Sequence, residues 1–141
     1  RMDLDGSTAL AGTRRPKVLL VEDNPVNQLV AQALLERLGA AVVLAGDGAQ
    51  ALQCLNEAEF DVVLMDCQMP VMDGLACTRA LREREVRLQL RRVPVVAMTA
   101  ASDDDARDDC REAGMDDFLT KPVDQLQFAA VLARVMRATA P

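Results

Sequence analysis

The chain has 141 residues, with 16 basic side chains against 22 acidic, a net charge of −6 and no histidine. That length suits one domain, and an apolar half of the composition supplies a core and excludes a disordered body. The acidic balance argues against broad binding to a nucleic-acid backbone, and without histidine the chain has no imidazole base, no imidazole metal ligand and no phosphohistidine of its own, so any such group comes from a partner.

Residues 1–16, RMDLDGSTALAGTRRP, are small, polar and aperiodic and read as a linker or remnant. The predicted domain runs over 17–138, with 139–141 as a tail. Val18-Leu19-Leu20-Val21 is a continuous aliphatic run of the kind that forms a parallel strand buried on both faces, and it ends in Glu22-Asp23. Asn24 then caps a helix with Pro25 at its first position, and Val26, Leu29, Val30, Ala33, Leu34 and Leu38 recur at helical spacing up to Gly39. Val42-Val43-Leu44 is a second strand. Asp47 caps a second helix with Ala51, Leu52, Leu55 and Ala58 on one face.

Val62-Val63-Leu64-Met65 predicts a third strand running into Asp66, and Pro70 makes the next residues a loop. Asp73-Gly74 opens a third helix through about Arg84. The charged stretch from Glu83 to Arg92 is long for a connection, so either that helix extends or a loop protrudes. Its arginines read as a solvated face. Val95-Val96-Ala97-Met98 is a fourth strand ending at Thr99, and Ser102 with Asp105 forms a capping box for a helix closed by Gly114. A short strand around Phe118-Leu119 precedes Lys121-Pro122. Asp124 caps a last helix whose inner stripe is Phe128, Val131, Leu132, Val135 and Met136.

Five strands alternating with five helices require a single α/β domain: a doubly wound, five-stranded parallel sheet of flavodoxin-like type. For the order 2-1-3-4-5, ligands bind past the carboxyl ends of the first and third strands. Those ends carry Glu22, Asp23 and Asp66, with Thr99 and Lys121 after the fourth and fifth strands. Three converging carboxylates repel unless a cation compensates, and an all-oxygen donor set favours Mg²⁺. Asp66 beside such a metal is a candidate nucleophile toward a phosphoryl group, with Lys121 and Thr99 available to its oxygens. Cys54, Cys67, Cys77 and Cys110 form no CxxC pair and read as reduced, mostly buried thiols. No apolar run reaches the ~18–20 residues of a membrane span, which predicts a cytoplasmic location, with a membrane involved only through a parent protein.

Four segments carry a resemblance to a known family: VLLVEDNPVNQ at 18–28, LMDCQMPVMDG at 64–74, MTA at 98–100 and LTKP at 119–122. Together they resemble the receiver domain of two-component response regulators, and most of all the receivers appended to hybrid sensor histidine kinases. The resemblance implies that Asp66 is the phosphoacceptor. Glu22, Asp23, Asp66 and the backbone carbonyl of Gln68 would hold Mg²⁺, and Lys121 and Thr99 would engage the phosphoryl oxygens. It implies a switch through Thr99 and Phe118, where many members have tyrosine. Gln68 and Ala101 occupy the positions that modulate dephosphorylation, and alanine cannot position an attacking water, so a long-lived phosphorylated state is expected. The implied partner is a histidine kinase or a histidine-containing phosphotransfer domain. Lys121-Pro122 resembles a peptide bond often cis in the family. Rival readings are weaker: an aspartate-nucleophile phosphatase needs an acid where Gln68 stands, and an FMN site needs hydroxyls and amides where Glu22-Asp23 stand. A receiver-like interaction module that never carries phosphate is the remaining alternative.

Overall fold

Alternation of inward side chains along four aliphatic strands organises the molecule, and the computed structural model describes it over residues 15–67, 74–100 and 104–139. In chain order the elements are β1 (Lys17–Val21), α1 (Pro25–Arg37), β2 (Ala41–Ala45), α2 (Gly48–Glu57), β3 (Val62–Asp66), α3 (Gly74–Leu88), β4 (Val95–Thr99), α4 (Asp104–Ala113), β5 (Asp117–Thr120) and α5 (Gln125–Thr139). The strands form one parallel sheet in the order β2-β1-β3-β4-β5. The doubly wound architecture expected from the sequence is therefore the one observed.

Because strand side chains alternate, each aliphatic run feeds two cores. Leu19, Val21, Val63, Met65, Val95 and Ala97 face α2, α3 and α4, where they meet Ala51, Cys77, Leu81 and Cys110. Val18, Leu20, Val62, Leu64, Val96 and Met98 face α1 and α5, where they meet Leu35, Phe128, Val131 and Leu132. Each fully buried aliphatic side chain contributes roughly 1.5–3 kcal/mol. This double demand explains why β1, β3 and β4 read as continuous apolar segments rather than alternating ones.

Helix signals act as expected at several ends. Asn24 Oδ1 accepts from the amides of Val26 and Asn27 at 2.9 and 3.1 Å, and Asp47 Oδ1 accepts from Gln50 at 2.8 Å. Asp124 and Gln127 cap one another's amides at 2.9 Å. The expected cap at Ser102 and the opening residue Asp73 lie outside the described residues, as do the linker residues 1–14.

Of the two alternatives for the charged stretch the extended helix is observed: α3 continues past Arg84 to Leu88, so most of the stretch is helical. Two expectations need correction. Val26, Leu29 and Val30, counted with the apolar face of α1, are 67%, 68% and 54% exposed, and the buried contacts of this segment come from Leu35 and Leu38. The helix is apolar on two sides, which defeats a one-stripe reading. Nor is the arginine stretch simply solvated. Arg82 donates to the carbonyls of Gly114 at 2.9 Å and Val93 at 2.8 Å, and pairs with Glu85 and Asp116 at 2.8 Å. Arg84 and Arg91 reach the carbonyls of Leu55 and Phe60. Guanidinium groups thus tie α3 and the segment after it to α2 and to the loops at the amino end of the sheet.

Candidate functional site

Glu22 and Asp23 follow β1 directly, Asp66 ends β3, Thr99 ends β4 and Lys121 follows β5. Parallel strands of matched register place these positions at one rim of the sheet. Glu22, Asp66 and Thr99 are buried, only 3%, 2% and 6% exposed, whereas Asp23 is open to solvent. Each of Glu22, Asp23 and Asp66 offers one oxygen, and these atoms all lie within 4.8 Å of one another. Lys121 Nζ stands 3.0 Å from Asp66 Oδ1 and 3.6 Å from Glu22 Oε1.

The backbone holds this acidic turn in place. The Glu22 amide donates to the Ala45 carbonyl at 3.0 Å, the Asn24 amide donates to Glu22 Oε2 at 3.2 Å, and Gln28 Nε2 donates to the Glu22 carbonyl at 2.6 Å. On the opposite side the Lys121 amide donates to the Thr99 carbonyl at 2.9 Å, and the Lys121-Pro122 peptide bond is cis. Gln28 and Asn24 are supporting residues whose role the sequence reading did not extract, because their contacts are to backbone and to a neighbouring carboxylate.

Burial pushes the Glu22 carboxyl above its ordinary value of 4.5, the Asn24 amide opposes this, and the Asp66 carboxylate reinforces it. Burial would lower Lys121, but its contacts with Asp66 and then Glu22 outweigh that and hold it above 10.5. One ammonium therefore serves a cluster with more carboxylates than it can neutralise. The fit to a hard divalent cation follows from the donor chemistry: oxygen atoms alone, clustered, one of them on a carboxyl that resists ionisation.

The raised Glu22 gives a stability prediction. A carboxyl that binds its proton more tightly in the folded state contributes fully below 4.5 and loses that contribution as the pH rises through its raised value. Metal-free Glu22→Gln is therefore expected to be more stable than the wild type at neutral pH, with the gap closing below pH 4.5, in urea unfolding curves at both pH values. A gap independent of pH overturns the assignment.

Phe118 is half-buried on β5 and lies under two guanidinium groups of α4, Arg107 at 5.6 Å and Arg111 at 5.1 Å from the ring centre. Cys67, next to Asp66, has its sulfur 3.7 Å from that of Cys110 on α4, and burial followed by that neighbour pushes its thiol upward. Gln68 and Ala101 lie outside the described residues.

Gly74, expected only as the start of a helix, proves to be part of the site's frame. A Cβ there would sit 2.4 Å from the Asp66 carbonyl oxygen and 2.9 Å from Cys67 Cα. Its amide donates to the Cys67 carbonyl at 3.2 Å.

The family model for the response regulator receiver domain matches residues 18–133. The chain belongs to that family. Among curated relatives of this receiver, the sensor protein GacS of Pseudomonas syringae pv. syringae is 43% identical over 122 residues, covering 86% of the chain and 14% of GacS. The receiver thus spans about one-seventh of that relative's length. Among solved structures, the receiver domain of sensor histidine kinase PA1611 from Pseudomonas aeruginosa PAO1, with a magnesium ion coordinated in its active-site cleft, is 42% identical. It has a TM-score of 0.78 and covers 87% of this chain and 98% of that one. The receiver domain of Ssk1 from Saccharomyces cerevisiae, crystallised with the histidine phosphotransfer protein Ypd1, is 27% identical with a TM-score of 0.78, covering 86% of this chain and 87% of that one. Among the described residues no helix is long and apolar enough to cross a membrane.

Proposed function

We propose that this receiver domain takes a phosphoryl group from the phosphohistidine of a partner onto Asp66, as one step of a phosphorelay, and that the parent protein is a hybrid histidine kinase. An Asp66 carboxylate oxygen attacks phosphorus, the bond from phosphorus to the imidazole nitrogen breaks, and the imidazole leaves with the electron pair and is protonated. Lys121, 3.0 Å from Asp66 Oδ1, supplies a positive charge to the incoming phosphoryl oxygens. Thr99 supplies a hydroxyl donor at the end of the adjacent strand. Glu22, Asp23 and Asp66, with the carbonyl of Gln68, would hold Mg²⁺, which when bound neutralises charge on the transferring group. Phe118 is the aromatic whose repositioning would report the event on the surface of α4 and β5. The chain has no histidine, so the donor is necessarily another domain or protein. A cytoplasmic setting follows from the same reading.

The exposed apolar side chains of α1 give the donor a place to rest. Val30 and Ala31 line the same cleft as Glu22 and Lys121, so a partner lying on Val26, Leu29 and Val30 brings its phosphohistidine to the acidic rim.

The observation that carries this reading is the Lys121 ammonium in contact with Asp66, itself one of three carboxylates whose oxygens lie within 4.8 Å of one another. The test uses acetyl phosphate with Mg²⁺ and intact mass. One phosphoryl group is expected on the chain, absent when a chelator is included in the labelling reaction and persisting for minutes after the donor is removed, as Ala101 would dictate. Asp23→Asn, on an exposed side chain, is expected to leave the fold intact and to raise the Mg²⁺ needed for half-maximal labelling by about tenfold or more. Labelling without Mg²⁺, or an unchanged Mg²⁺ requirement in the variant, overturns the metal assignment.

A further inference from the structure

We propose that Cys67 and Cys110 form a reversible disulfide that silences the phosphoacceptor, which makes the receiver a site of oxidative control. The consequence for phosphorylation rests on the function proposed above, whereas the bond itself does not.

The geometry differs from that of the other two thiols. Cys77 is buried and its sulfur donates to the Gly48 carbonyl at 3.6 Å, and Cys54 lies on α2. Cys67 and Cys110 instead face each other, sulfur to sulfur at 3.7 Å, across 43 positions of sequence. A disulfide needs ~2.05 Å, so forming it requires the two sulfurs to close in from this contact distance. Exposure is asymmetric: Cys67 is half-buried and open to an oxidant, although burial holds its thiol up and makes the first oxidation slow, which the excess oxidant of the test offsets, while Cys110 is 3% exposed and stands as the resolving thiol. With a hydroperoxide as oxidant the electrons balance in two steps. The Cys67 sulfur displaces water from hydrogen peroxide and becomes a sulfenic acid. The Cys110 sulfur then attacks it, releasing a second water and leaving the S–S bond.

The position of the bond gives it leverage. Cys67 is the residue after Asp66, its amide donates to the Met98 carbonyl at 3.2 Å, and its carbonyl accepts from Gly74. Cys110 sits on the helix whose Arg107 and Arg111 cover Phe118. Cross-linking pins α4 to the backbone that orients the nucleophile, so the oxidised domain loses both alignment at Asp66 and freedom at Phe118.

The test treats the full chain with excess hydrogen peroxide and maps peptides without reductant, with no phosphoryl donor present. A Cys67–Cys110 link is expected in wild type and Cys54→Ser, and absent in Cys67→Ser and Cys110→Ser. The linked chain is then expected to take up phosphoryl groups from acetyl phosphate and Mg²⁺ about tenfold more slowly or worse, because a shift of ~1 Å at the nucleophile suffices for that. Dithiothreitol restores the rate, and Cys67→Ser labels at the same rate before and after peroxide treatment. Links at other cysteines, or sulfinic acid at Cys67 without a link, overturn the disulfide. A linked chain labelled at the reduced rate overturns the control. If instead the reduced chain takes no phosphoryl group at all, the phosphoacceptor reading fails while the mapped bond stands.

Discussion

Asp66→Asn is expected to abolish phosphoryl uptake, lowering labelling by acetyl phosphate and Mg²⁺ at least ~10³-fold while the domain stays folded. The amide keeps the shape of the side chain, so the buried end of β3 remains filled. It loses the anionic oxygen that attacks phosphorus, and no neighbour can replace it. Glu22 is fixed by the Asn24 amide and by Lys121, and Asp23 is exposed at the rim without the Lys121 contact that Asp66 makes. The same substitution tests the electrostatics, because Asp66 contributes to the upward push on Glu22 and its removal should bring that carboxyl back toward 4.5. Intact mass measures the first effect and the pH dependence of unfolding the second. Wild-type labelling of the variant would mean that a different side chain accepts the phosphoryl group.

Gly74→Ala is expected to destabilise the domain by about 3 kcal/mol or more and to impair labelling even at temperatures where the variant is folded. The added methyl would meet the Asp66 carbonyl oxygen at 2.4 Å, Cys67 Cα at 2.9 Å and Met65 Cγ at 3.0 Å. Two of those three are backbone atoms, which cannot rotate aside. Either α3 moves off the sheet and breaks the Gly74–Cys67 hydrogen bond, or the end of β3 moves and takes Asp66 with it. A displacement of ~1 Å at the nucleophile alone costs on the order of 10² in rate. Urea denaturation gives the stability and acetyl phosphate labelling gives the chemistry. A wild-type midpoint in Gly74→Ala would show that the helix start yields without cost.

The meeting of the candidate side chains was legible because they sit where strands stop. Four apolar runs each end in an acid, a hydroxyl or a lysine, and the topology of a doubly wound sheet forces those ends to one rim. No long-range contact had to be guessed to bring Glu22, Asp23, Asp66, Thr99 and Lys121 together. Where legibility failed, the missing quantity was tertiary. Periodicity finds apolar residues on α1 but not the side on which the sheet lies, so Val26, Leu29 and Val30 looked like core. The arginines before β4 looked solvated because a long side chain reaching a distant carbonyl leaves no local trace, as Arg82 does with Gly114, 32 positions away. Gly74 did leave a signal: glycine in the first turn of a helix disfavours that helix by up to ~1 kcal/mol relative to alanine, which asks for a packing reason. The pairing of Cys67 with Cys110 left none, since their separation in sequence bears no relation to their distance in space.

Val26, Leu29 and Val30 take little part in either core. Substitutions there are cheap for folding and silent toward any small-molecule phosphoryl donor. On the docking proposed above, identity of the correspondent and competence of the chemistry are written in different residues, and a duplicated gene could acquire a new correspondent without relearning how to carry the message.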